Sequence, residues 1–257
     1  MNNYNEQIAK CCKLLRLSSN IAAKSLTISA ESNQEYLYKI LQSEVDCREN
    51  SRTDRMMTAA AFPKRYDFTQ FDDSETQYPS DTNLDDLKGL NFHKDGKNLI
   101  MYGNTGTGKT MLSICLGIEA CKKGIPVKFF RTASLINQLS EAKTNGVLTT
   151  YLKKLNKASI LILDELGYVP YDRTGSQLFF DFLSEIHEKK TIILNTNLEF
   201  SRWANVFYDE QMTVAMIGRL THRCHLLLFP GKNNRLIESS LNTSNKGFKK
   251  EKNKDNV

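Results

Sequence analysis

The sequence predicts an α/β protein in which helices flank a five-stranded parallel sheet, with a small all-helical domain before it. From Lys97 onward, short aliphatic runs alternate with longer segments of helical periodicity, the pattern of a parallel sheet covered on both faces. A glycine-rich stretch lies between the first aliphatic run and the helical segment that follows it. The first 62 residues have the apolar spacing of helices.

Length and composition fit one main globular domain with a smaller appendage. The 257 residues are 40% hydrophobic and 25% charged, which is enough to bury a core. The six cysteines form no CxxC pair, which predicts reduced thiols in the cytosol and argues against a zinc site. Because the chain has neither a signal peptide nor an apolar run of about 18 residues, we expect a cytoplasmic protein with no membrane partner.

The predicted N-terminal domain, residues 1–62, contains one strong helix signal. The stretch "SNQE" from Ser32 to Glu35 has the spacing of a capping box, which marks the start of a helix. An apolar face with helical spacing follows it, formed by Tyr36, Leu37, Ile40, Leu41 and Val45. We therefore expect an amphipathic helix at this position.

Three arginines recur every three or four residues beyond this helix start. Arg48, Arg52 and Arg55 would lie on one helical face. Such a stripe either contacts the phosphate backbone of DNA or forms an ordinary solvated surface. The net charge of +6 permits a polyanionic partner without requiring one.

The rest of the chain divides by composition into three segments. Prolines and turn residues predict a linker over 63–83, and the main α/β domain extends over 84–240. Residues 241–257 are predicted to be a basic disordered tail, since five lysines and two acids lie between Asn242 and Val257. This tail either binds a partner or only keeps the protein in solution.

The glycine-rich stretch "GNTGTGKT", residues 103–110, satisfies the G-x-x-x-x-G-K-[ST] pattern in its required place, between a strand and a helix. In this pattern backbone N–H groups wrap the phosphates of a nucleotide, the lysine reaches the outer phosphates and the hydroxyl holds Mg²⁺. The predicted nucleotide-binding residues are Gly103, Asn104, Thr105, Gly106, Thr107, Gly108, Lys109, Thr110 and Met111.

Two carboxylates follow the buried strand "SILIL". At a strand end beside the loop, Asp164 can hold Mg²⁺ with Thr110, and Glu165 can orient and deprotonate a water molecule. The alternative is that these acids only keep the exposed end of the strand in solution. Together with the glycine loop, the acid pair favours nucleotide hydrolysis over transfer to a bound metabolite.

The next strand ends in "NTN", residues 195–197, whose amides could bind the attacking water or the terminal phosphate. A third strand bearing an acid pair and a fourth ending in asparagine resemble the AAA+ class of ATPases. Within that class, "GYVPYDRTG", "NLEFSRWANVFYDE", "GRLTHRCH" and "NNRLIES" resemble the IstB-like transposition helper ATPases, relatives of the DnaC-type helicase loaders. The resemblance covers roughly residues 5 to 240 and includes the N-terminal helices.

The resemblance implies a role for each matching residue. Lys109 and Thr110 match the phosphate-loop pair, Asp164 and Glu165 match the magnesium-binding and water-activating acids, and Asn197 matches the sensor after the fourth strand. The family's usual tripeptide there is threonine-serine-asparagine, so Asn195 is an alternative sensor.

Two arginines match residues that act on the nucleotide in the family. Arg219, in "GRL", matches the arginine finger that reaches a neighbouring subunit's nucleotide, and Arg223, one helical turn later, is an alternative. Arg235, in "NNRL", matches the second sensor arginine. Because 28 residues follow Phe229, we expect no C-terminal helical lid, which leaves the site open to completion by a neighbour.

These features predict an ATPase that uses ATP and Mg²⁺ and forms a homo-oligomer, a ring or a helical assembly. Its predicted partners are duplex DNA, which it presents as a target, and a cognate transposase. A helicase loader, which would take single-stranded DNA, and a nucleotide-gated adaptor with negligible turnover are the alternatives. A preference for duplex or single-stranded DNA distinguishes the transposase helper from the helicase loader. Phosphate release stimulated by DNA would exclude the adaptor.

Overall fold

The computed structural model describes residues 4–233, which divide into two compact units with a boundary between Met56 and Met57. Arg235, the predicted tail over 241–257 and the expected absence of a lid all lie outside the described residues. The first unit ends at Met56, six residues before residue 62, where the sequence predicts the end of the N-terminal domain.

The first unit is helical, with α1 at Tyr4–Leu14, α2 at Asn20–Lys24 and most of α3, which extends over Asn33–Ala60. Ser32 precedes α3, and its hydroxyl accepts a hydrogen bond from the Glu35 backbone N–H at 3.1 Å. The Glu35 carboxylate accepts from the Glu31 N–H at 2.8 Å instead of closing back onto Ser32. Half of the predicted capping box is therefore present.

The predicted apolar face of α3 is only partly covered within the first unit. Tyr36 donates its hydroxyl to the carbonyl of Ser25 at 2.9 Å, whereas Leu37, Leu41 and Val45 stay exposed. Among the described residues of this unit, α1 and α2 are the only other helices, and both are short. They leave part of the apolar face of α3 exposed to solvent.

The second unit is built on the predicted five-stranded parallel sheet. Its strands are β1 at Asn98–Gly103, β2 at Val127–Arg131, β3 at Ile160–Leu166, β4 at Thr191–Thr196 and β5 at Cys224–Phe229. They are ordered β2-β3-β4-β1-β5, and every neighbouring pair is parallel. The carboxyl ends of β1, β3 and β4 therefore meet at one edge, the position at which open parallel sheets bind ligands.

Helices cover both faces of this sheet. They are α4 at Leu84–Gly89, α5 at Asn91–Lys94, α6 at Lys109–Lys122, α7 at Thr132–Thr144, α8 at Leu148–Leu155, α9 at Arg173–Ile186 and α10 at Glu210–Thr221. Helices α7, α9 and α10 build one core through residues such as Leu135, Phe179 and Met216. Helix α6 covers the other face, where Gly117 packs against Ile162 of β3. Within residues 4–233, no helix is both long and apolar enough to cross a membrane.

The segment over 63–83, predicted to be a linker, is ordered and belongs to the second unit. Phe68–Gln70 forms a short 3-10 helix whose first turn is closed by a capping box between Asp67 and Gln70. Farther along, Gln77 pairs antiparallel with Leu228 of β5. The segment therefore packs on the sheet domain in addition to connecting α3 to it.

Candidate active site

The phosphate loop, residues 103–108, connects the end of β1 to the start of α6. Gly103 has a φ of +149°, and a Cβ at this position would lie 2.1 Å from the carbonyl oxygen of Phe229 in β5. Gly108 has a φ of +102° immediately before the helix begins. Both backbone positions require glycine, which explains why the motif has glycine at its two ends.

Two side chains stabilise this loop from within. The Lys109 ammonium donates hydrogen bonds to the carbonyl oxygens of Gly103, at 2.8 Å, and of Asn104. The Asn104 amide donates to the carbonyls of Pro230 at 3.0 Å and Gly231 at 3.3 Å, just after β5. Asn104 thus ties the loop to the chain that follows the last described strand.

A cavity of about 570 Å³ opens at this edge of the sheet, a size that suits a small-molecule ligand. The predicted nucleotide-binding residues that line it are Thr105, Gly106, Thr107, Gly108, Lys109, Thr110 and Met111. Asp164, Glu165, Asn195 and Asn197 line the same cavity. Three strand ends therefore bring the loop, the acid pair and the asparagines together, while Gly103 and Asn104 support the loop from behind.

Asp164 is buried and held in a hydrogen-bond network. Its Oδ1 accepts from the Thr110 hydroxyl at 2.9 Å and from the Asn195 amide at 2.8 Å. The Ser113 hydroxyl in turn donates to Asn195 Oδ1 at 2.8 Å. A carboxylate beside a hydroxyl offers the hard oxygen ligands that Mg²⁺ prefers, so Thr110 and Asp164 fit the predicted metal site.

Glu165 has an unusual backbone conformation. In a regular strand Asp164 and Glu165 would face opposite sides of the sheet. The pairing of β3 with β4 is irregular between Leu163 and Leu166, and Glu165 has a φ of +57°. Both acids consequently line one cavity, and Glu165 Oε2 lies 3.6 Å from Arg131 Nε at the end of β2. A non-glycine residue held in this strained region is typical of functional sites.

The two candidate sensors differ in burial. Asn195 is 2% exposed, and both ends of its amide already have partners in Asp164 and Ser113. Asn197 lies just after β4, is exposed and faces the cavity. A phosphate or water could bind Asn197 without breaking the network around Asp164, so Asn197 stays the predicted sensor.

The segment over 63–83 supplies a wall of the cavity that the sequence did not predict. Its lining residues are Lys64, Tyr66, Gln70, Phe71 and Asp72. The ring of Phe71 lies so close to the loop that a Cβ on Gly108 would be 3.0 Å from its Cε2 atom. The stretch "DFTQ", Asp67 to Gln70, has the spacing of a capping box and was the available signal of order in this region.

Asp72 adds negative charge to this wall. The Ser74 backbone N–H donates to its carboxylate at 3.0 Å, which holds the pKa of Asp72 below its usual value. Asp72 is therefore ionised at neutral pH. Because like charges repel, Asp72 disfavours an anionic group in its immediate neighbourhood.

The two candidate arginine fingers lie at the opposite edge of the sheet. Asn98, the first residue of β1, donates its side-chain amide to the Leu220 carbonyl at 3.0 Å and its N–H to the Arg223 carbonyl at 2.7 Å. Strand β1 then extends to Gly103, so the end of α10 is about 17 Å from its own phosphate loop.

The side chains of these arginines are held differently. The Arg219 guanidinium lies over the ring of Phe180, 4.8 Å from its centroid, and donates to the Ala215 carbonyl at 3.1 Å. Arg223 donates to the carbonyl of Asp95 at 2.9 Å. Neither residue lines the cavity of its own chain.

The three arginines predicted to contact DNA all lie on α3 and are exposed. Arg48 also has a structural role, because it donates to the Glu44 carboxylate at 2.7 Å and to the Arg16 carbonyl at 2.8 Å. Arg55 also donates to a backbone carbonyl, that of Ser51 in the same helix, at 3.1 Å.

Known proteins resemble this chain over most of its length. The model of the family described as IstB-like ATP binding protein matches residues 9–242. The chain belongs to this family. A protein named for ATP binding from insertion sequence IS21 of Pseudomonas aeruginosa is 35% identical over 205 residues, covering 80% of this chain and 77% of the relative. Another, from IS232 of Bacillus thuringiensis subsp. berliner, is 32% identical over 202 residues, covering 79% of this chain and 81% of the relative.

A solved structure resembles this IstB-like chain in fold. The replication initiator DnaA bound to AMPPCP and single-stranded DNA superposes with a TM-score of 0.53 and 18% identity, over 72% of this chain and 57% of that one. At this identity the likeness concerns the fold alone. The family match confirms the predicted resemblance and identifies an ATP-binding protein, and the likeness to DnaA agrees with the predicted AAA+ fold.

Proposed function

We propose that this chain is an ATP-dependent DNA-binding helper of a transposase. ATP-bound subunits assemble on duplex DNA and present it as a target, and hydrolysis resets the assembly. The convergence of the phosphate loop, Asp164 and Glu165 on one cavity carries this proposal, because simple nucleotide binding does not need a second acid. The link to transposition rests on the relatives, which come from insertion sequences.

The phosphates of ATP are expected to bind the loop and the N-terminus of α6, where the helix dipole favours negative charge. Lys109 would exchange its contacts with the carbonyls of Gly103 and Asn104 for the outer phosphates. Mg²⁺ bound by Thr110 and Asp164 would neutralise charge on the phosphates. Asn195 keeps the carboxylate of Asp164 oriented throughout.

Glu165 is the proposed general base. It accepts a proton from the water that attacks the γ-phosphorus, while the bond from this phosphorus to the bridging oxygen breaks and ADP leaves. Asn197 is close enough to the cavity to orient the water or the terminal phosphate. Arg131 lies 3.6 Å from Oε2 of Glu165, and this ion pair would restrain the acid while its other oxygen can accept from water.

Arg219 is proposed to act on the nucleotide of a neighbouring subunit. An extended arginine side chain is far shorter than the length of β1, so Arg219 cannot reach the loop of its own chain. A finger supplied in trans makes hydrolysis depend on assembly, since the charge on the transferred phosphoryl group is stabilised only between subunits. This dependence would couple ATP turnover to a homo-oligomer.

Phosphate release by the purified chain tests this proposal, with duplex DNA, single-stranded DNA or no DNA present. We expect duplex DNA to stimulate hydrolysis more than single-stranded DNA does. The Lys109→Ala variant should lose turnover, while Lys122→Ala, at the other end of α6, should keep it. Stronger stimulation by single strands would instead indicate a helicase loader, and absent turnover would indicate an adaptor.

The proposed DNA contact is tested separately by salt dependence. Arg52→Ala combined with Arg55→Ala should weaken duplex binding equally for all sequences and lower the salt slope by about two, as expected when two phosphate contacts are lost. Arg48 is left unchanged because it also donates to the Arg16 carbonyl within the first unit. An unchanged slope would remove this helix face from the DNA interface.

A further inference from the structure

A cluster of potential metal ligands lies at the amino edge of the sheet, away from the nucleotide cavity. Within residues 4–233, His187, Glu188 and His222 form a group of three side chains whose ligand atoms all lie within 4.8 Å of one another. His222 Nδ1 is 3.6 Å from Glu188 Oε1, and the two imidazole rings are 6.0 Å apart. Ligands of one zinc ion at its usual bond lengths are separated by about 3.4 Å. Small side-chain rotations would therefore bring the three onto one ion.

The backbone around this cluster also favours a cation. His187 is the C-cap of α9 and His222 is the C-cap of α10, so two helix C-termini end side by side. The helix dipole gives each C-terminus a partial negative charge. Lys189, next to Glu188, is exposed, whereas Lys190 donates to the carbonyls of Asn156 and Ala158, and Arg223 donates to that of Asp95. Lys190 and Arg223 are thus turned to other partners.

We propose that His187, Glu188 and His222 bind a divalent transition-metal ion of the zinc class. Two imidazoles and one carboxylate are ligands that such ions accept, and the exposed position leaves further coordination sites for water. The ion is distinct from the Mg²⁺ predicted at Thr110 and Asp164, because the cluster follows helices that end at the opposite edge of the sheet. The cysteine pattern, which argued against zinc, does not involve these histidines.

The proposed ion would tie the ends of α9 and α10 together. Phe180 of α9 and Arg219 of α10 form the cation–π contact one to two turns before the cluster. A bridge between His187 and His222 would therefore fix the helix carrying Arg219 against its neighbour. This consequence for Arg219 rests on the proposed function, whereas the metal site does not.

Zinc binding by the purified, nucleotide-free full chain tests the site directly, in competition with a chromophoric zinc chelator. We expect a single ion per chain, with affinity lowered at least about tenfold by His187→Ala or His222→Ala. Zinc should also raise the thermal midpoint of the parent protein, since it binds only the folded state, and should fail to do so in these variants. Circular dichroism of each variant checks that it has folded.

His93→Gln is the matched control, because His93 bonds Thr191 and does not belong to the cluster, and it should bind zinc like the parent. Cobalt substitution separates this site from the thiols, since thiolate ligands give intense near-ultraviolet bands that imidazole and carboxylate ligands do not. Equal zinc binding by the parent and the His187→Ala/His222→Ala double variant would overturn the proposal. Thiolate bands in the cobalt protein would overturn it as well.

Discussion

The two edges of the parallel sheet differ in how their polar side chains find partners. At the carboxyl edge, Thr110, Asp164 and Asn195 bond one another in a buried network within a single chain. At the amino edge, the guanidinium of Arg219 rests on an aromatic ring, and α9 and α10 end in His187 and His222. Buried side chains at the carboxyl edge hold one another, whereas we propose that groups at the amino edge act on a neighbouring subunit or bind an ion.

This difference indicates where the chain can act alone. The carboxyl edge contains the groups proposed to bind a nucleotide and activate water, and hydrogen bonds within the chain hold Thr110, Asp164 and Asn195 there. The amino edge contains Arg219, the proposed finger, and the end of its helix lies about 17 Å from the loop of the same chain. We infer that the two edges are halves of one catalytic site that forms between subunits.

The largest expected effect is at the carboxyl edge. Glu165→Gln should lower ATP hydrolysis by roughly two to four powers of ten, because a positioned base is lost. ATP binding should stay nearly intact, since Asp164 and the loop are unchanged, and DNA complexes should persist longer. Single-turnover hydrolysis and equilibrium nucleotide binding measure the two quantities, with the exposed Glu141→Gln on α7 as the control. Unchanged turnover would show that Glu165 is not the general base.

The two asparagines at the same edge should respond differently. Asn195→Ala should lower the free energy of unfolding by about 1–3 kcal/mol, because Asp164 and Ser113 lose a buried partner. Asn197→Ala should change it by less than about 0.5 kcal/mol, since the side chain is exposed, yet lower hydrolysis by about a hundredfold. Denaturant unfolding and phosphate release measure these effects. The reverse pattern would make Asn195 the sensor.

A smaller effect is expected at Arg131, whose contact with Glu165 is exposed. Arg131→Ala should raise DNA-independent hydrolysis by at most about fivefold, because an exposed ion pair contributes at most about 1 kcal/mol. Lys128→Ala, on the same strand, removes an equal charge and should leave the rate unchanged. A lower rate in Arg131→Ala would mean that this arginine assists hydrolysis instead of restraining the base.

Much of the carboxyl edge could be predicted from the sequence because its chemistry depends on local patterns. The loop needs glycine at positions of positive φ, and five aliphatic runs correspond to the five strands of the sheet found within residues 4–233. Parallel strands bring their carboxyl ends together, so the convergence of Asp164 and Asn197 on the loop followed from topology.

Other features depend on contacts that no local pattern describes. The turn residues in 63–83 predicted a linker, but Phe71 packs on Gly108 and orders this segment against the cavity. The irregular pairing that brings Glu165 beside Asp164 depends on the register of β3 and β4, which the sequence does not specify. The neighbouring histidines at the ends of α9 and α10 likewise result from tertiary packing of two helices distant in sequence.

The central claim, that one catalytic site is completed between two subunits, is tested most directly by mixing two inactive variants. Lys109→Ala lacks the loop lysine and keeps the finger, whereas Arg219→Ala keeps the loop and lacks the finger. In an equal mixture about a quarter of the interfaces should pair an intact loop with an intact finger. Arg223→Ala in place of Arg219→Ala tests the alternative finger in the same way.

Phosphate release on duplex DNA is the measurement, made on each variant alone and on the mixture at the same total concentration. We predict that Arg219→Ala binds ATP nearly as well as the parent, that each variant alone is inactive, and that the mixture recovers part of the activity. Full DNA-stimulated hydrolysis by Arg219→Ala alone, or a mixture that stays as inactive as its components, would contradict the claim.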